Sequence, residues 1–533
     1  MKLTPENIQQ RYTKANSVKS TWDTQYEEIF DYCMPSRNLF DKVSDKPDGG
    51  FQDRRENLYS SVGEQSANEY VNTLQEVLAP PMTPWISVKA GSQFKDETRE
   101  SVDKELEKLT DIANEYKNNS SFDVAFSEFC YDLFVGTACM LILPGRPRKP
   151  LSCKSVPLKE YCIEEGVDGE VRGVYRKYSM KRELLGAQWK ELQGKKLADA
   201  EKDKDIAIIE STFYDYDLNV YHYQVIDSGE GTELLSREYK TNPFIVLRWN
   251  KCAGEPYGRG VGMTAINDIK TLNLIKYYSL RGFAYQLPIL LAQEDAMLDV
   301  DNFDPTPLTL NIVPDTKNSI VPLDIAPKYE QESYKTAELT MDIKKNTYSS
   351  TLPADVGKNM TATEIRERIA NLRKSLNSVA GRLISEGVVP ITIRIMDVLG
   401  SAGFFGQDFI DRFNVNDING LIYKVNVVTP IGKIIKYADA QTMLAAASKL
   451  IEIDPTGQAL EEYIKTAEMI PDYLELSGLP LKYINNTADI KAHRQQVAEG
   501  QQAAMEQQMS MEVQADNQKS MGKAMANKEA MSG

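Results

Sequence analysis

Histidine is almost missing from this chain, which has only His222 and His493 among its 533 residues. His222 lies in the alternating segment VYHYQV and is expected to be a half-buried strand residue, whereas His493 precedes a polar tail. Serine and cysteine triads, and metal sites rich in histidine, need imidazole groups beside their other residues. The sequence therefore offers no catalytic residue and no metal site of these kinds.

Long apolar runs are missing as well. The run from Val388 to Ile393 contains Pro390 and ends at Arg394, and no run reaches the roughly 18 apolar residues of a membrane helix. The opening segment MKLTPENIQQRYTK has no apolar core of the signal-peptide kind. We expect a soluble protein that is made and kept in a cytoplasm and has no membrane partner.

Closely spaced cysteine pairs are absent too, since no two cysteines have the CxxC spacing. Thiols stay reduced in a cytosol, so we favour free, buried thiols over disulfides or metal ligands. The cysteines concerned are Cys33, Cys130, Cys139, Cys153, Cys162 and Cys252.

Positive charge is in deficit, because 62 basic and 77 acidic groups give a net charge of −15. The charge balance therefore argues against a protein that binds duplex DNA tightly through its bulk charge. No glycine-rich phosphate loop is present, and the glycines from Gly258 to Gly262 are interpreted as a helix-initiating turn rather than a nucleotide site. We predict no ATP hydrolysis by this chain and no cofactor.

Acidic pairs are common, as expected for an acidic chain. The favoured interpretation is that they lie on solvated, charged helix faces, while a Mg²⁺-dependent enzyme acting on nucleic acid is kept as an alternative. The pairs are Asp103/Glu107, Glu364/Glu367 and Glu461/Glu462.

The periodicity of apolar residues divides the first half of the chain into two parts. Residues 1–135 are predicted to be mostly helical, and the strand-like runs from Met140 to Asn250 are rich in β-branched and aromatic residues. Asp168-Gly169 marks a hairpin turn, and a helical segment near Met180 to Lys202 interrupts the strands. We predict an α+β, mainly helical fold with an antiparallel sheet packed on the preceding helices. One helix should bury a face made of Leu106, Leu109, Ala113 and Tyr116.

The second half begins with a helix, an excursion and another helix. The first helix is predicted from Met263 to Gln286, with apolar positions at Ile266, Ile269, Leu272, Leu274, Ile275 and Tyr278. Six prolines between residues 288 and 328 predict a compact irregular excursion, after which helix resumes from Glu332 to Ser349. Residues 351–360 form a loop, because proline, glycine, asparagine and aspartate cluster there.

A heptad stripe follows this loop, in a predicted helix from Thr361 to Glu386. It contains Ile365, Ile369, Leu372, Leu376, Val379 and Leu383. Such a stripe is compatible with a coiled-coil dimer, but Gly381 and Gly387 interrupt it, so packing within the subunit is favoured. Further helices begin near Ile434, and the Gln/Met-rich tail is either a helix completed by partners or disordered.

Four segments, in this order, resemble the portal protein, or head-to-tail connector, of short-tailed, podovirus-type tailed phages. They are TWDTQYEEIFDYCMPS at Thr21–Ser36, LAPPMTPWISV at Leu78–Val88, YGRGVGMTAINDIKTLN at Tyr257–Asn273 and MTATEIRERIANL at Met360–Leu372. The resemblance extends over roughly residues 10–490. It implies a non-enzymatic ring of identical subunits, typically twelve, at one capsid vertex, with a central channel for double-stranded DNA.

The resemblance also implies a division of the chain. The expected parts are a wing at 1–256, a stem helix at 257–287, a clip at 288–328, a second stem helix at 329–350, a tunnel loop at 351–360, a wing return helix at 361–430, crown helices at 431–495 and a tail at 496–533.

Candidate contacts to DNA phosphates are Lys344 and Lys345 on the second stem helix and Lys358 and Asn359 in the tunnel loop. Because DNA must slide through a channel, these contacts should be few and not sequence-specific. The implied partners are the large terminase ATPase, major capsid and scaffolding proteins, and tail or adaptor proteins. The implied locations are the virion and, during assembly, the host cytoplasm. A neck adaptor or a coiled-coil scaffold is the alternative assignment.

Overall fold

The structure is a computed structural model, and the part of the chain that it describes is discontinuous. It covers residues 3–37, 57–91, 94, 96–146, 148–192, 205–286, 289–292, 320–323, 329–349, 379–405, 423–425 and 444–450, with isolated positions beyond. The chain separates into two compact units, Met1–Ile434 and Ile435–Gly533. In the second unit the run 444–450 is helical, within the first of the predicted C-terminal helices.

The predicted N-terminal helical region is confirmed. It contains helices α1 (Pro5–Cys33), α2 (Val62–Leu78), α3 (Asp96–Asn118) and α4 (Phe122–Val135). Helix α1 begins where the Thr4 hydroxyl accepts from the Asn7 backbone N–H and proline occupies the first turn. On α3, Leu106, Leu109 and Ala113 are buried as predicted, and Tyr116 is half-buried against Phe404.

The predicted antiparallel sheet is present as two separate sheets. The smaller contains β2 (Thr137–Arg146), β3 (Lys149–Val156) and β9 (Phe244–Arg248) in the order β3-β2-β9. The larger contains, in spatial order, β4 (Tyr161–Glu165), β5 (Val171–Lys181), β6 (Asp205–Asp215), β7 (Val220–Asp227) and β8 (Glu233–Tyr239). A short pair joins β1 (Val88–Ala90) to β12 (Tyr423–Val425). The fold is therefore α+β.

Two local predictions within this region need correction. Met180 belongs to β5, because it pairs with Ile206 in the sheet, and helix α5 covers Leu185–Gln188 between two short 3₁₀ turns. The rest of the predicted segment, from residue 193 to 202, lies outside the described residues. His222 on β7 is fully buried rather than half-buried. The predicted Asp168-Gly169 turn is confirmed, with Gly169 at φ +77°.

Helix α1 packs on the larger sheet through a small apolar cluster. Ile8 and Ala15 of the helix contact the cluster formed by Cys162, Tyr175, Ile209 and Ile226 of the strands. The cysteines of the chain are all free, and five of them are buried as predicted. Cys252 is exposed instead, because it lies in the loop that leads from β9 to the next helix.

The predicted succession of helix, excursion and helix is confirmed at its edges. Helix α6 (Val261–Gln286) leads into β10 (Ile289–Ala292), which pairs antiparallel with β11 (Ile320–Leu323) before helix α7 (Tyr329–Asn346) returns. Helices α6 and α7 pack against each other as a helical hairpin. Residues 293–319, inside the excursion, lie outside the described part of the chain.

The helix predicted to end at Glu386 continues beyond it. Residues 379–382 are helical, Leu383–Val388 form a π-helical turn, and α8 (Val389–Ser401) follows directly. Gly387 therefore does not interrupt the helix; the chain widens into a π-turn there instead. Val379 and Leu383 of the heptad stripe are buried within this chain, which favours packing inside the subunit, while the earlier stripe positions lie outside the described residues.

Among the described helices, none is both long and apolar enough to cross a lipid bilayer.

Candidate functional site

The helical hairpin of α6 and α7 leaves the body of the first unit part of the way along α6. Ile266, Ile269 and Leu272 are buried against the body, as their apolar character predicts. Leu274 and Tyr278, which continue the same apolar pattern, are 52% and 60% exposed. The base of the hairpin is therefore anchored, and its outer part presents apolar side chains to the surroundings.

The turn that initiates α6 is packed backbone to backbone against the junction between α4 and β2. A Cβ atom at Gly258 would lie 2.5 Å from the Gly136 carbonyl oxygen, and one at Gly260 would lie 2.2 Å from the Phe134 carbonyl oxygen. The Gly258 N–H also donates to the Thr137 hydroxyl at 2.8 Å. These contacts support the interpretation as a helix-initiating turn, because the glycines serve close packing.

Asn273 fixes the point at which α6 leaves the body. Its side-chain oxygen accepts from the backbone N–H groups of Tyr59 and Ser60, at 2.7 and 3.1 Å, and its amide donates to the Asn57 carbonyl. One buried amide thus satisfies three backbone groups of the segment that precedes α2.

The two lysines predicted to contact DNA differ in their surroundings. Lys344 Nζ lies 3.9 Å from Glu69 Oε1 on α2, and its side chain is 36% exposed. Lys345 is exposed, because it is rotated by about 100° around the helix axis from Lys344 and so points away from α2. The last turn of α7 is held by Ser349, whose hydroxyl donates to the Lys344 carbonyl at 3.1 Å. Lys358 and Asn359 lie outside the described residues.

The hairpin also exposes apolar side chains on α7. Tyr334 and Met341 are 73% and 72% exposed and, being seven residues apart, share one helix face. On α6, Leu274 and Tyr278 share a face through their spacing of four. Four large apolar side chains on one projecting element favour contact with another molecule over solvent.

A buried ionic cluster holds the body together behind the hairpin. The Arg248 side chain is 2% exposed, and its guanidinium donates to Glu386 Oε1 at 2.7 Å, to the Gly169 carbonyl at 3.0 Å and to Glu165. Lys251 also pairs with Glu165. Burial alone would lower the pKa of Arg248, but the hydrogen bonds and attraction of Glu386 and Glu165 outweigh it and raise that pKa.

Groups that suggest catalysis in the sequence have structural roles here. His222 Nε2 lies 3.3 Å from Asp215 Oδ2, both side chains are almost fully buried, and the imidazole packs on Phe213. Asp103 of the Asp103/Glu107 pair accepts from the Ala90 backbone N–H at 2.7 Å. Among the described residues, no group of three or more His, Cys, Asp or Glu is arranged to hold a metal ion.

The described residues form an α+β chain with an apolar core, a buried ion-pair cluster at Arg248 and a helical hairpin that exposes apolar side chains. Residues 5–484 match the family described as bacteriophage head to tail connecting protein. The match spans well over half of the chain, so the chain belongs to this family, and its role is that of a connector. No curated protein matches the chain.

The solved structures that match the chain include three from gene transfer agent (GTA) particles. One is from the virion of a native particle, with 9% identity over 80% of this chain and 92% of the other and a TM-score of 0.32. Another is from the neck of an empty GTA particle computed with C6 symmetry, with 10% identity, the same two coverages and a TM-score of 0.34. The neck of a native particle computed with C12 symmetry gives 10% identity, the same coverages and a TM-score of 0.31. The family match therefore carries the assignment.

Proposed function

We propose that this connector assembles as a closed ring of identical subunits, most simply a dodecamer, around a channel for double-stranded DNA. The observation that carries the proposal is the projecting α6/α7 hairpin with Leu274, Tyr278, Tyr334 and Met341 exposed on it. A head-to-tail ring would cover such faces with the next subunit, because it joins two different surfaces of each copy. The family membership supplies the biological setting.

The proposed parts of the subunit follow the predicted division. The hairpin is the stem, and the clip is the segment 288–328, which contains β10 and β11. The wing contains the helices and sheets before Tyr257 together with the return segment at 361–430. The tunnel loop is 351–360, the crown is 431–495 and the tail is 496–533. In this arrangement Lys344, Lys345, Lys358 and Asn359 lie along the channel.

The channel would pass DNA during packaging and ejection without holding it. A net charge of −15 per subunit opposes tight binding to a polyanion, and a few lysines suffice to guide the duplex. The chain has no glycine-rich phosphate loop, so the energy for packaging would come from a separate ATPase, the large terminase subunit. The proposed role is therefore that of a non-enzymatic conduit.

The proposed location is the portal vertex of the capsid in the virion, with assembly in the host cytoplasm. The ring would contact major capsid and scaffolding proteins during assembly, the terminase during packaging and tail or adaptor proteins afterwards. It needs no cofactor and no membrane.

The direct test replaces two exposed apolar residues that share one face of α6. We expect Leu274→Ser with Tyr278→Ser to keep the fold but to reduce the mass measured by light scattering from a multiple of 60.0 kDa to that of one subunit. The matched control is Val124→Ser, which removes an apolar side chain 69% exposed on α4 of the body. A wild-type chain that stays a monomer contradicts the proposal, and so does a ring that the double variant leaves intact.

A further inference from the structure

The hairpin between β2 and β3 carries a concentration of positive charge that stands out in an acidic chain. Arg146, Arg148 and Lys149 occupy its tip, and all three side chains are exposed. Arg146 and Lys149 face each other as the last pair of the β2/β3 ladder, so the hairpin is closed up to the tip. No ion pair within the described part of the chain involves these three residues. We call them the basic tip.

A second surface, formed by two turns of the larger sheet, has the opposite character. The β4–β5 turn and the β6–β7 turn lie at the same end of the larger sheet. They are in contact, because a Cβ atom built on Gly166 in the first turn would lie 2.5 Å from the hydroxyl of Tyr216 in the second. Together they expose Val167, Asp168, Glu170, Tyr216, Asp217 and Leu218. We call these residues the turn patch.

The composition of the turn patch points to a protein partner with positive charge. Val167 is 97% exposed, Leu218 59% and Tyr216 52%, which is unusual for apolar side chains in adjacent turns. Asp168 and Glu170 share a single cation, Arg172, at 2.5 and 2.9 Å. Asp217 adds a third carboxylate, so the patch has an excess of negative charge around an apolar centre, as interfaces between proteins often have.

The basic tip and the turn patch lie at opposite ends of the same part of the subunit. In the β2/β9 ladder, Arg248 is the partner of Thr137, the first residue of β2. The Arg248 guanidinium also donates to the Gly169 carbonyl in the β4–β5 turn, so the turn patch lies near the first residue of β2. The basic tip is at the other end of β2, which has 10 residues and therefore spans about 30 Å. The two surfaces cannot meet within one chain, but two copies placed head to tail bring them together.

We infer that the basic tip of one subunit docks on the turn patch of the next copy of this chain, forming one contact of the ring. The inference rests on the proposed ring and adds the surfaces that set its direction. A heterologous ring requires two different, complementary patches on each subunit, and these two differ in charge and in position. A DNA phosphate backbone also attracts three cations, but it would leave Val167 and Leu218 of the turn patch uncovered.

The test reverses the charges separately and together in the full-length chain. One variant carries Arg146→Glu, Arg148→Glu and Lys149→Glu, a second carries Glu170→Lys and Asp217→Lys, and a third carries all five changes. We expect each of the first two variants alone to lower the ring fraction by at least about tenfold in light scattering, because like charges then face each other.

Recovery of ring assembly is the more specific part of the test. An equimolar mixture of the first two variants should regain rings, since every contact then joins opposite charges, and the five-change variant should assemble by itself. Lys104→Glu with Lys108→Glu, which reverses exposed charges on α3, is the matched control and should leave the ring intact. Circular dichroism of each variant checks that it is folded.

Each remaining outcome is decisive. If both reversed variants form rings as the wild type does, or if neither the mixture nor the five-change variant recovers, the inference is wrong while the ring stands. If the first variant assembles normally but loses retention of duplex DNA, the basic tip contacts DNA instead. A wild-type chain that never forms a ring overturns the proposed function and this inference with it.

Discussion

Arg248 and Glu386 are 138 positions apart in the sequence, yet the guanidinium donates to both carboxylate oxygens, to Oε1 at 2.7 Å and to Oε2 at 3.1 Å. The Arg248 backbone N–H also donates to Glu386 Oε2 at 3.2 Å. The contact joins the end of β9 to the π-helical turn that follows the heptad stripe. It therefore couples the smaller sheet to the helix that would return from the proposed tunnel loop.

Arg248→Ala should destabilise the subunit by about 1.5–3 kcal/mol, because it removes the charged hydrogen bonds that join two carboxylates only 21% exposed, while Glu165 keeps Lys251 and Glu386 keeps the more distant Arg382. Arg11→Ala is the matched control, since its ion pair with Glu164 has side chains 39% and 40% exposed and should contribute less than about 1 kcal/mol. Urea unfolding of both variants measures the difference. Equal losses of stability would contradict the structural role given to Arg248.

Gly260→Ala should destabilise the chain by at least about 1–3 kcal/mol, because its Cβ would overlap the Phe134 carbonyl, a backbone group that cannot rotate away. Gly381→Ala is the contrast: Gly381 is helical and exposed, no atom of the described residues lies within 4 Å of the new Cβ, and the change should stabilise by up to about 1 kcal/mol. Unfolding midpoints give the sign of each effect. A neutral Gly260→Ala would refute the close packing at the start of α6.

Asp132 on α4 gives the chain a predictable pH dependence. Burial raises the pKa of this carboxyl to about 7, against the opposing effects of Arg37 and the Leu158 backbone N–H, while Glu128 and Glu160 raise it further. The unfolded chain titrates this group near 4, so its contribution to stability is present below that pH and is lost as the pH rises towards 7.

Asp132→Asn should therefore become more stable relative to the wild type as the pH rises from 5 to 8, by on the order of a few kcal/mol. The free energy of unfolding, measured at both pH values, checks the direction. Asp111→Asn, which makes the same chemical change at an exposed aspartate of α3, is the matched control. A constant difference between Asp132→Asn and the wild type would rule out the raised pKa.

Lys345 and Lys344 should contribute unequally to the affinity of the assembled ring for duplex DNA. Lys345→Ala should lower DNA affinity and reduce the slope of affinity against salt by about 1 per lost phosphate contact. Lys344→Ala should change both less, because Lys344 faces Glu69 on α2. Titration of duplex DNA at several salt concentrations compares the two. Equal losses of DNA affinity in the two variants would contradict the different roles given to Lys344 and Lys345.

The elements with strong local patterns were predictable from the sequence. The glycine-rich turn and its following apolar positions predict α6 within two residues of its observed start at Val261, and Asp168-Gly169 predicts the β4–β5 turn. Met180 misled the prediction because its pairing with Ile206 depends on a strand that begins more than twenty residues later. The large separation along the chain hides such pairings from local patterns.

The functional surfaces were only partly predictable. Leu274 and Tyr278 look like core residues in the sequence, since their apolar spacing is the same whether the helix packs on its own body or on another subunit. The Arg248 cluster gave no signal, because Glu165 and Glu386 lie far away in the chain. The basic tip was visible as GRPRK, but its meaning depends on the turn patch at the other end of β2.

End-on electron microscopy of the purified full-length protein, paired with its mass in solution, tests the central claim most directly. The account predicts closed rings with an open centre and a mass many times that of one subunit. Monomers, or open filaments that never close, would contradict it.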